Sequence, residues 1–490
     1  MQTSQKTTTI SVAQGDGIGS EIMQAVLDIF AAARVPLEYE HIEMGKSIFD
    51  MGFSTGMTAQ AKASIERNGI LFKGPMETPK GSGVKSINVT ARKTWSTYAN
   101  KRVFRTLNGV DTVFSRANIP INLTIVRENI EDTYGGIEHM LTHDVALCRR
   151  FITRPGSLQL MRYAFEMAKR KGSKRVTCAH KANIMKITDG LFLECFREVA
   201  KDYPELRADD VIVDDLAMKL VSRPDLFDVV ILPNLQGDII SDLCAGLVGG
   251  LGFAPSANIG DHISIFEAVH GTAPDIAGKG IANPTALLLS GCMMLRHLHL
   301  GESAALIENA LFASLEAGAH TADFGAPGTP ALTTQAFAEV IKTHLGSKPK
   351  IVPPASFEPA NETISLPKVP ARNRMMSTEA PASEIMGADF FIESTDQASL
   401  IADTLAEVCG NRYKISTISN RGTQVWPEGS VFTELINQYR VRFEKIDSGT
   451  IRQADIIALI KDTSELFKIC SVELLMAYAG KKAYSMAQGQ

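Results

Sequence analysis

The segment that most constrains this fold spans residues 234–242 and reads NLQGDIISD. It follows FDVVILP, a short apolar run that predicts a buried strand, and precedes LCAGLVGGLG, which predicts a tightly packed helix. Asp238 and Asp242 are four residues apart, so a helix places their carboxylates on one face, roughly 5–6 Å apart. Such a pair suits Mg²⁺ or Mn²⁺, although a helix dipole also favours acids at this position. The spacing alone leaves both interpretations open.

A glycine-rich turn near the start of the chain resembles a dinucleotide fingerprint, but its spacing does not fit. TTTISVAQ predicts a strand, GDGIG a turn, and SEIMQAVLDIFAAA a helix. Gly15, Gly17 and Gly19 give GxGxG, and Ser20 stands where GxGxxG needs its third glycine. Tight strand-to-helix turns need glycine whether or not they bind a ligand, so we expect a structural turn here.

Charged and polar side chains recur at or after the ends of apolar segments. In parallel α/β sheets the ligand binds at the carboxyl ends of the strands, so these groups are candidates for one site. Arginine offers a planar fork for carboxylates, and a lysine at a strand end is either a solvated flank or a desolvated base. Taken singly, each is equally well explained as a surface ion pair or a core residue. The candidates are Ser86, Asn88, Arg92, Arg102, Arg127, Tyr134, Lys181 and Asp214.

Six long motifs occur together in this order: GPMETP, SxNxxxR, RENIEDTYGGIEH, HKANIMK, NLQGDIISD and FEAVHGTAPDIAGKGIANPTALLLS. With them, residues 8–345 resemble the β-decarboxylating (isocitrate/isopropylmalate) dehydrogenase family. Within it, the chain is most similar to NAD-dependent isocitrate dehydrogenases of the bacterial type with a C-terminal extension. The resemblance implies a non-Rossmann α/β fold with two domains and an arm that clasps a second subunit. The implied large domain is 1–98 with 250–345, and the small domain is 99–249 with a clasp arm at about 131–174.

The activity that the resemblance implies is the oxidative decarboxylation of isocitrate to 2-oxoglutarate and carbon dioxide, a step of the tricarboxylic acid cycle. The partner subunit's Lys181 would act as base and Tyr134 would return a proton. Mg²⁺ or Mn²⁺ would be held by Asp238 and Asp242 with the partner subunit's Asp214. Because each site would draw on both chains, we expect a homodimer with shared active sites and leave a higher oligomer open. The implied substrate-binding residues are Ser86, Asn88, Arg92, Arg102 and Arg127.

The resemblance also implies a nicotinamide cofactor. Asp275 and Ile276 stand where NADP-using bacterial enzymes usually carry Lys and Tyr. A carboxylate there would accept hydrogen bonds from the ribose hydroxyls and repel a 2′-phosphate by several kcal/mol, so we expect NAD⁺. Arg223 argues against this, since NADP enzymes can use an arginine there. The implied cofactor-binding residues are Thr78, Asn183, His270, Gly271, Asp275, Ile276 and Asn283.

Three alternatives stay in view. Ser86 and Asn88 favour isocitrate over isopropylmalate, whose enzymes present an apolar pocket at that position. Homoisocitrate is harder to exclude, because one methylene is worth only about 1–3 kcal/mol of discrimination. A non-catalytic regulatory subunit is disfavoured because the chain keeps Tyr134, Lys181 and all three aspartates.

Beyond the core, residues 346–385 are rich in proline and predict a linker, and residues 386–490 predict a small α/β domain. The role of this domain is left open between oligomerisation or stability, small-molecule regulation and partner binding.

The net charge of −4, without a basic patch, indicates no nucleic-acid partner. No apolar run approaches the ~18 residues of a membrane span. Scattered cysteines and the lack of a targeting pattern predict a cytoplasmic protein.

Overall fold

The computed structural model describes residues 7–77, 86–325, 328–356, 381–446 and 450–486. The strands of the described part are β1 (Thr8–Ala13), β2 (Leu37–His41), β3 (Ile70–Lys73), β4 (Ala99–Arg105), β5 (Asn122–Glu128), β6 (Glu138–Met140), β7 (Ala146–Cys148), β8 (Arg175–His180), β9 (Arg207–Ile212), β10 (Val229–Leu232), β11 (Pro255–Ile259), β12 (Ser264–Ala268), β13 (Ser383–Glu393), β14 (Tyr413–Asn420), β15 (Thr423–Trp426), β16 (Gln438–Lys445), β17 (Lys468–Tyr478) and β18 (Lys481–Lys482).

The helices alternate with the strands along much of the chain, and most of them bury one apolar face. They are α1 (Gly19–Ala32), α2 (Lys46–Asp50), α3 (Ala59–Asn68), α4 (Ile87–Thr94), α5 (Val113–Arg116), α6 (Arg154–Lys171), α7 (Thr188–Ala200), α8 (Val213–Ser222), α9 (Asn234–Leu247), α10 (Thr285–His297), α11 (Gly301–Glu316), α12 (Thr334–Thr343), α13 (Ala398–Cys409) and α14 (Gln453–Ser464).

The first of two compact units comprises residues 1–134, 151–184 and 188–375. It is organised around a ten-stranded sheet in the order β2-β1-β3-β12-β11-β4-β5-β10-β8-β9. Both flanks are parallel, and the antiparallel pairs β12–β11, β11–β4 and β4–β5 join them at the centre. This order differs from the Rossmann order, so the predicted non-Rossmann α/β class is confirmed. The division of this region into a large and a small domain stays a prediction.

The strands that carry the core read as continuous apolar runs because both faces are covered. All residues of β3 and β10 are buried, as expected for strands with helices on both sides. One apolar cluster packs α1, α10, α11 and α12 against the sheet, a second packs α6 and α7, and a third packs α8 and α9. These clusters hold the central antiparallel strands in place, and the candidate site is built on those strands.

The glycine turn after β1 packs against another backbone segment. Gly17 has φ +60°, and a Cβ there would lie 2.1 Å from the carbonyl oxygen of Thr272. The next amide, of Ile18, donates to that same oxygen at 3.0 Å. Glycine is therefore required by the close approach of two backbones, which accounts for the turn without a ligand.

The second compact unit comprises residues 135–150, 185–187 and 376–490. Its main sheet has the order β15-β14-β16-β13-β17-β18 and is antiparallel throughout, with α13 and α14 packed on it. Arg442 and Asp389 form a buried bidentate ion pair across neighbouring strands, both contacts at 2.7 Å. The predicted C-terminal α/β domain is confirmed.

A short hairpin, β6 with β7, belongs to this second unit. Arg149, just after β7, pairs with Glu473 on β17. The Thr142 hydroxyl lies 3.4 Å from the side-chain oxygen of Asn437. The hairpin, which lies inside the predicted clasp arm, is thus tied to the C-terminal sheet of the same chain.

No helix among the described residues is long and apolar enough to cross a membrane.

Candidate active site

Three arginines converge near the centre of the ten-stranded sheet. Arg102 on β4 and Arg127 on β5 lie on adjacent strands, and their side chains are 4% and 1% exposed. Arg92 lies on α4, one turn after Asn88, so both side chains point the same way. Ser86 occupies the residue before α4. The sequence placed these groups at separate points of the chain, and the fold brings the arginines together.

Arg127 is held from three directions. Its Nε and one terminal nitrogen donate to Asn234 Oδ1 at 3.0 and 2.7 Å, and its other terminal nitrogen pairs with Asp238. The ring of Tyr134 lies 4.9 Å from the guanidinium carbon, a cation–π contact. This buried guanidinium therefore has one fixed orientation.

Asp238 on α9 is the hub of this cluster. It accepts the hydroxyl hydrogen of Tyr134 at 2.5 Å and pairs with Arg127 and, at 3.5 Å, with Arg102. Burial alone would raise the pKa of Asp238, but the charge of Arg127, the hydrogen bond from Tyr134 and the charges of the other two arginines together outweigh it and lower the pKa below its usual value. Asp238 is thus held as a carboxylate. Burial, together with the hydrogen bond to Asp238, raises the pKa of Tyr134, which keeps its hydroxyl protonated.

Arg102 faces both aspartates that the helical spacing singled out. One terminal nitrogen lies 3.6 Å from Asp242 and donates to Ser241, and its Nε donates to Asn100 at 2.7 Å. Burial raises the pKa of Asp242 against the opposing charge of Arg102, and the Asp238 carboxylate adds to the rise. The predicted arrangement of two carboxylates on one face of α9 is confirmed.

A buried ion network lies behind Arg92. Glu267 on β12 pairs with Lys73 at the end of β3, accepts from Arg92 at 3.0 Å and accepts from Asn258 at 2.7 Å. Burial would raise the pKa of Glu267, but the charges of Lys73 and Arg92 hold it well below its usual value. Glu267 therefore fixes the position of the Arg92 guanidinium.

Sequence reasoning missed several of these supporting residues, namely Lys73, Asn100, Asn234, Asn258 and Glu267. A signal was present for two of them: ILFK and SIFEA each carry one charge in an otherwise apolar strand. A charge on a strand that is buried on both faces predicts a partner on the neighbouring strand. β12 and β3 are such neighbours.

A cleft of about 480 Å³ opens onto this cluster, lined by residues that include Asn88, Arg92, Arg102, Glu267 and His270. Three buried polar atoms of its lining have no hydrogen-bond partner in the described part of the chain: Asn88 Oδ1, Arg92 Nε and His270 Nε2. Buried polar groups are rarely left unpaired, so such atoms mark places where a ligand binds. The Arg92 Nε donor, beside the other guanidinium groups, fits a carboxylate of a ligand. His270 donates from Nδ1 to the carbonyl oxygen of Gly271, so its Nε2, like Asn88 Oδ1, is an acceptor suited to a hydroxyl or amide hydrogen of the ligand.

Lys181 and Asp214 form a separate pair. The Lys181 ammonium donates to Asp214 at 2.5 Å, and its backbone amide donates to Asp189. Gln236 on α9 also donates to Asp189, at 3.1 Å. Gln236 and Asp238 are two residues apart, about 200° around a helix, so Lys181 lies on the other side of α9 from the arginine cluster. Within the described ranges no three acidic, histidine or cysteine side chains gather around one metal-sized space.

A second groove, of about 530 Å³, is lined partly by predicted cofactor residues, namely His270, Gly271, Ile276 and Asn283. Asn283 is already engaged, because its amide donates to Asp323 at 3.0 Å and its oxygen accepts the backbone amide of Thr285. Asp323 also lines this groove and was missed by the sequence reasoning. Asn183 is exposed in a turn after Lys181, and Thr78 lies outside the described residues.

Comparison with known proteins gives matches along nearly the whole chain. The family profile for isocitrate/isopropylmalate dehydrogenase matches residues 9–341, and that for the bacterial isocitrate dehydrogenase C-terminal domain matches 383–490. A relative named isocitrate dehydrogenase [NADP] from Thermus thermophilus is 42% identical over 484 residues, 98% of this chain and 96% of the relative. A protein of the same name from Rickettsia bellii is 39% identical over 488 residues, 99% of each chain.

Two further matches bear on the fold and on the cofactor. The crystal structure of TT0538 protein from Thermus thermophilus superposes with a TM-score of 0.91 at 40% identity, covering 98% of this chain and 96% of that one. The mitochondrial isocitrate dehydrogenase [NAD] catalytic subunit 5 of Arabidopsis thaliana is 48% identical over 339 residues, 69% of this chain and 88% of the relative. The Thermus and Rickettsia relatives, which match over nearly the full length, are thus named for NADP, and the Arabidopsis relative, which is named for NAD, matches 69% of this chain.

The expectation of NAD⁺, and with it the assignment to NAD-dependent enzymes, is therefore wrong: the relatives that match over the full length are named for NADP. The structure gives a physical reason. Asp275 lies exposed in a turn, so it acts through nearly bulk water, where two unit charges 4 Å apart interact by only about 1 kcal/mol. The repulsion expected from the sequence requires a drier site. Arg223 is also exposed and pairs with Asp225 at 3.1 Å.

Proposed function

The chain belongs to the isocitrate/isopropylmalate dehydrogenase family, and on that basis we propose that it oxidises and decarboxylates isocitrate to 2-oxoglutarate and carbon dioxide, with NADP⁺ as hydride acceptor. The observation that carries this proposal is the cleft that Arg92 and Arg102 line, with Arg127 on the strand beside Arg102 and with Arg92 Nε unpartnered. A tricarboxylate offers three anionic groups for three guanidinium forks. Ser86 and Asn88 would meet the carboxylate that distinguishes isocitrate from isopropylmalate.

The side chains of α9 are suited to hold a divalent cation beside the bound substrate. Asp238 and Asp242 face the same guanidinium, and carboxylate oxygens are the ligands that Mg²⁺ and Mn²⁺ prefer. Asp214 of a second copy of the chain would complete the set, since Asp214 of the same copy contacts Lys181, which lies on the other side of α9 from the arginine cluster. When bound, the cation would supply Lewis-acid polarisation of the substrate oxygens.

Tyr134 and Lys181 would handle protons. Tyr134 keeps its hydroxyl hydrogen and donates it to Asp238 in the free protein, so it is poised to protonate carbon after carbon dioxide has left. Lys181 of a second copy would take the proton of the substrate hydroxyl as hydride leaves. The cofactor would lie along the groove that His270, Gly271, Ile276 and Asn283 line, with Thr78 and Asn183 assigned to it by family resemblance.

A twofold dimer would bring these parts together. The helices α8 and α9 each leave apolar side chains exposed: Met218 and Val221 on the first, Leu235 and Ile239 on the second. Large apolar groups exposed on adjacent helices are typical of subunit interfaces. These helices also carry Asp214 and Asp238, so pairing them across a twofold axis would join the two halves of the site.

The test is a comparison of initial rates of nicotinamide reduction by the purified chain, with isocitrate and Mg²⁺ and with either NADP⁺ or NAD⁺. We expect turnover with isocitrate, a preference for NADP⁺ in kcat/KM, and no turnover after chelation of the metal. Homoisocitrate and isopropylmalate serve as matched substrates. Greater activity with either one, or no activity with any substrate, would contradict the proposal.

Replacement of Asp275 by asparagine tests how strongly the carboxylate opposes the binding of NADP⁺. Because the side chain is exposed, we expect KM for NADP⁺ to fall by less than about fivefold, which corresponds to about 1 kcal/mol. Asp202→Asn, another exposed acid in the same compact unit, is the matched control and should leave KM unchanged. A fall of a hundredfold would mean that Asp275 meets the 2′-phosphate in a desolvated contact.

A further inference from the structure

A further cleft, of about 250 Å³, lies on the face of the central strands opposite the active-site cleft. We call it the rear cleft. Successive residues of a strand point to opposite faces of its sheet. On β4, Arg102 therefore lines the active-site cleft and Lys101 lines the rear cleft. Helices α6 and α10 supply the other basic side chains of the rear cleft. These are Arg170, Lys171, Arg296 and His297.

The basic side chains of the rear cleft differ in how they are neutralised. Arg296 makes a bidentate ion pair with Glu308, with its closer contact at 2.6 Å. Arg170 pairs with Glu166 and Lys171 with Asp228, at 2.7 and 3.1 Å. None of the described residues that line the cleft is acidic, so these carboxylates stand outside it.

Lys101 is the exception. Its ammonium makes no ion pair and no side-chain hydrogen bond with any residue in the described part of the chain. Burial lowers the pKa of Lys101 to about 8, the charges of Lys171 and Arg296 act in the same direction, and the carboxylate of Glu308, which is paired with Arg296, opposes them only in part. At neutral pH a cation is thus held in a partly dry site beside other cations. That arrangement is costly unless a counter-charge enters the cleft.

We propose that the rear cleft binds a small free oxyanion of the inorganic phosphate kind, with Lys101 as its main charge partner. The volume supports a small ion, because sites for drug-sized ligands begin at about 300 Å³. The aromatic side chains of Tyr163 and Phe266 also line the cleft and offer apolar surface beside the ion. Lys101 and Arg102 are consecutive on β4, so the ion would act on the strand that carries a substrate-site arginine.

Calorimetric titration with inorganic phosphate at constant ionic strength tests the proposal. Phosphate can also bind in the active-site cleft, so the diagnostic quantity is the difference between proteins. We expect the wild type to bind one more phosphate per chain than Lys101→Met. Lys201→Met removes an exposed lysine of the same unit and should bind like the wild type. Equal binding by wild type and Lys101→Met would overturn the proposal.

A second measurement is made on the wild-type protein and uses two variants only to assign one resonance. Lysines labelled with ¹³C-methyl groups give one resonance each, and the Lys101 resonance is the one absent from both Lys101→Met and Lys101→Arg. We expect saturating phosphate to raise the pKa of Lys101 by about one unit, which corresponds to tenfold tighter binding to the charged form. An unchanged pKa at phosphate concentrations that saturate the protein would place the ion elsewhere and overturn the assignment.

Discussion

Mixed dimers of a Lys181→Met chain and a Tyr134→Phe chain are expected to recover roughly half of the wild-type rate per chain, although each variant alone should lose about 10²- to 10⁴-fold in kcat. The expectation rests on the separation of the two residues within one chain. Tyr134 contacts Asp238, whereas Lys181 contacts Asp214 and lies on the other side of α9. If each active site takes Lys181 from the other copy, one site of a mixed dimer is intact.

Co-expression of the two variants with different affinity tags isolates the mixed dimer and removes both parents. The recovered rate per chain is then compared with that of each parent at saturating isocitrate and NADP⁺. Lys201→Met provides a control for the loss of one lysine and should keep full activity. An isolated mixed dimer as inactive as its parents would show that Tyr134 and Lys181 must come from the same chain.

Loss of stability does not explain the expected loss of rate in the Lys181 variant. The side chains of Lys181 and Asp214 are 29% and 67% exposed, and an exposed pair of this kind contributes at most about 1 kcal/mol. The melting temperature of Lys181→Met should therefore stay within a few degrees of the wild type. A much larger fall would mean that the pair is part of a packed interface between subunits.

Replacement of Glu267 by glutamine is expected to lower the free energy of unfolding of the first unit by about 3–5 kcal/mol. The side chains of Lys73 and Glu267 are 1% and 6% exposed, so the variant leaves a buried ammonium without its carboxylate. The double variant Lys73→Met, Glu267→Gln removes both charges and should lose less stability than Glu267→Gln alone. Asp50→Asn breaks an exposed pair with Lys46 and should cost less than about 1 kcal/mol.

Urea unfolding followed by tryptophan fluorescence measures the free energy of unfolding of the first compact unit. The chain has two tryptophans, so a Trp426→Phe background leaves Trp95, which is buried near α4, as the only reporter. All variants would be compared in that background. A double variant that is less stable than Glu267→Gln would contradict the assignment of the loss to an unpaired lysine.

The Lys73–Glu267 pair also predicts how the stability of the folded chain depends on pH. The pKa of Glu267 is held well below its usual value in the folded chain, so its stabilising effect is complete above the unfolded pKa, near 4.3. That effect is lost as pH falls through the folded pKa. The difference in stability between wild type and Glu267→Gln should therefore be constant from neutral pH to about pH 5.5 and narrow below about pH 4.3. A difference that widens on acidification would have the wrong sign for a depressed carboxyl pKa.

Local patterns predicted the parts of the site that are close in sequence. The four-residue spacing of Asp238 and Asp242 placed both on one helical face, and the structure confirms that both face Arg102. The same spacing separates Asn88 and Arg92 on α4, where the sequence alone predicted no helix. The buried partners of these residues were not predicted, because Asn234, Glu267 and Lys73 meet their partners across strands that the sequence does not order. The cofactor prediction failed for a related reason: the strength of a charge depends on its exposure, which sequence does not report.

The sequence by itself determined the α/β class, the helix that carries the paired aspartates and the motifs that identify the family; the predicted linker at 346–385 stays a prediction, since residues 357–380 lie outside the described part of the chain. Each of these depends on spacing within one segment, where helix and strand periods set the geometry. Only the tertiary structure decided that β4 and β11 run antiparallel between two parallel flanks, that Arg92, Arg102 and Arg127 converge, and that Lys101 stands behind them without an ion-pair partner in the described part of the chain. These features depend on strand order and burial, which arise from packing between segments far apart in the chain.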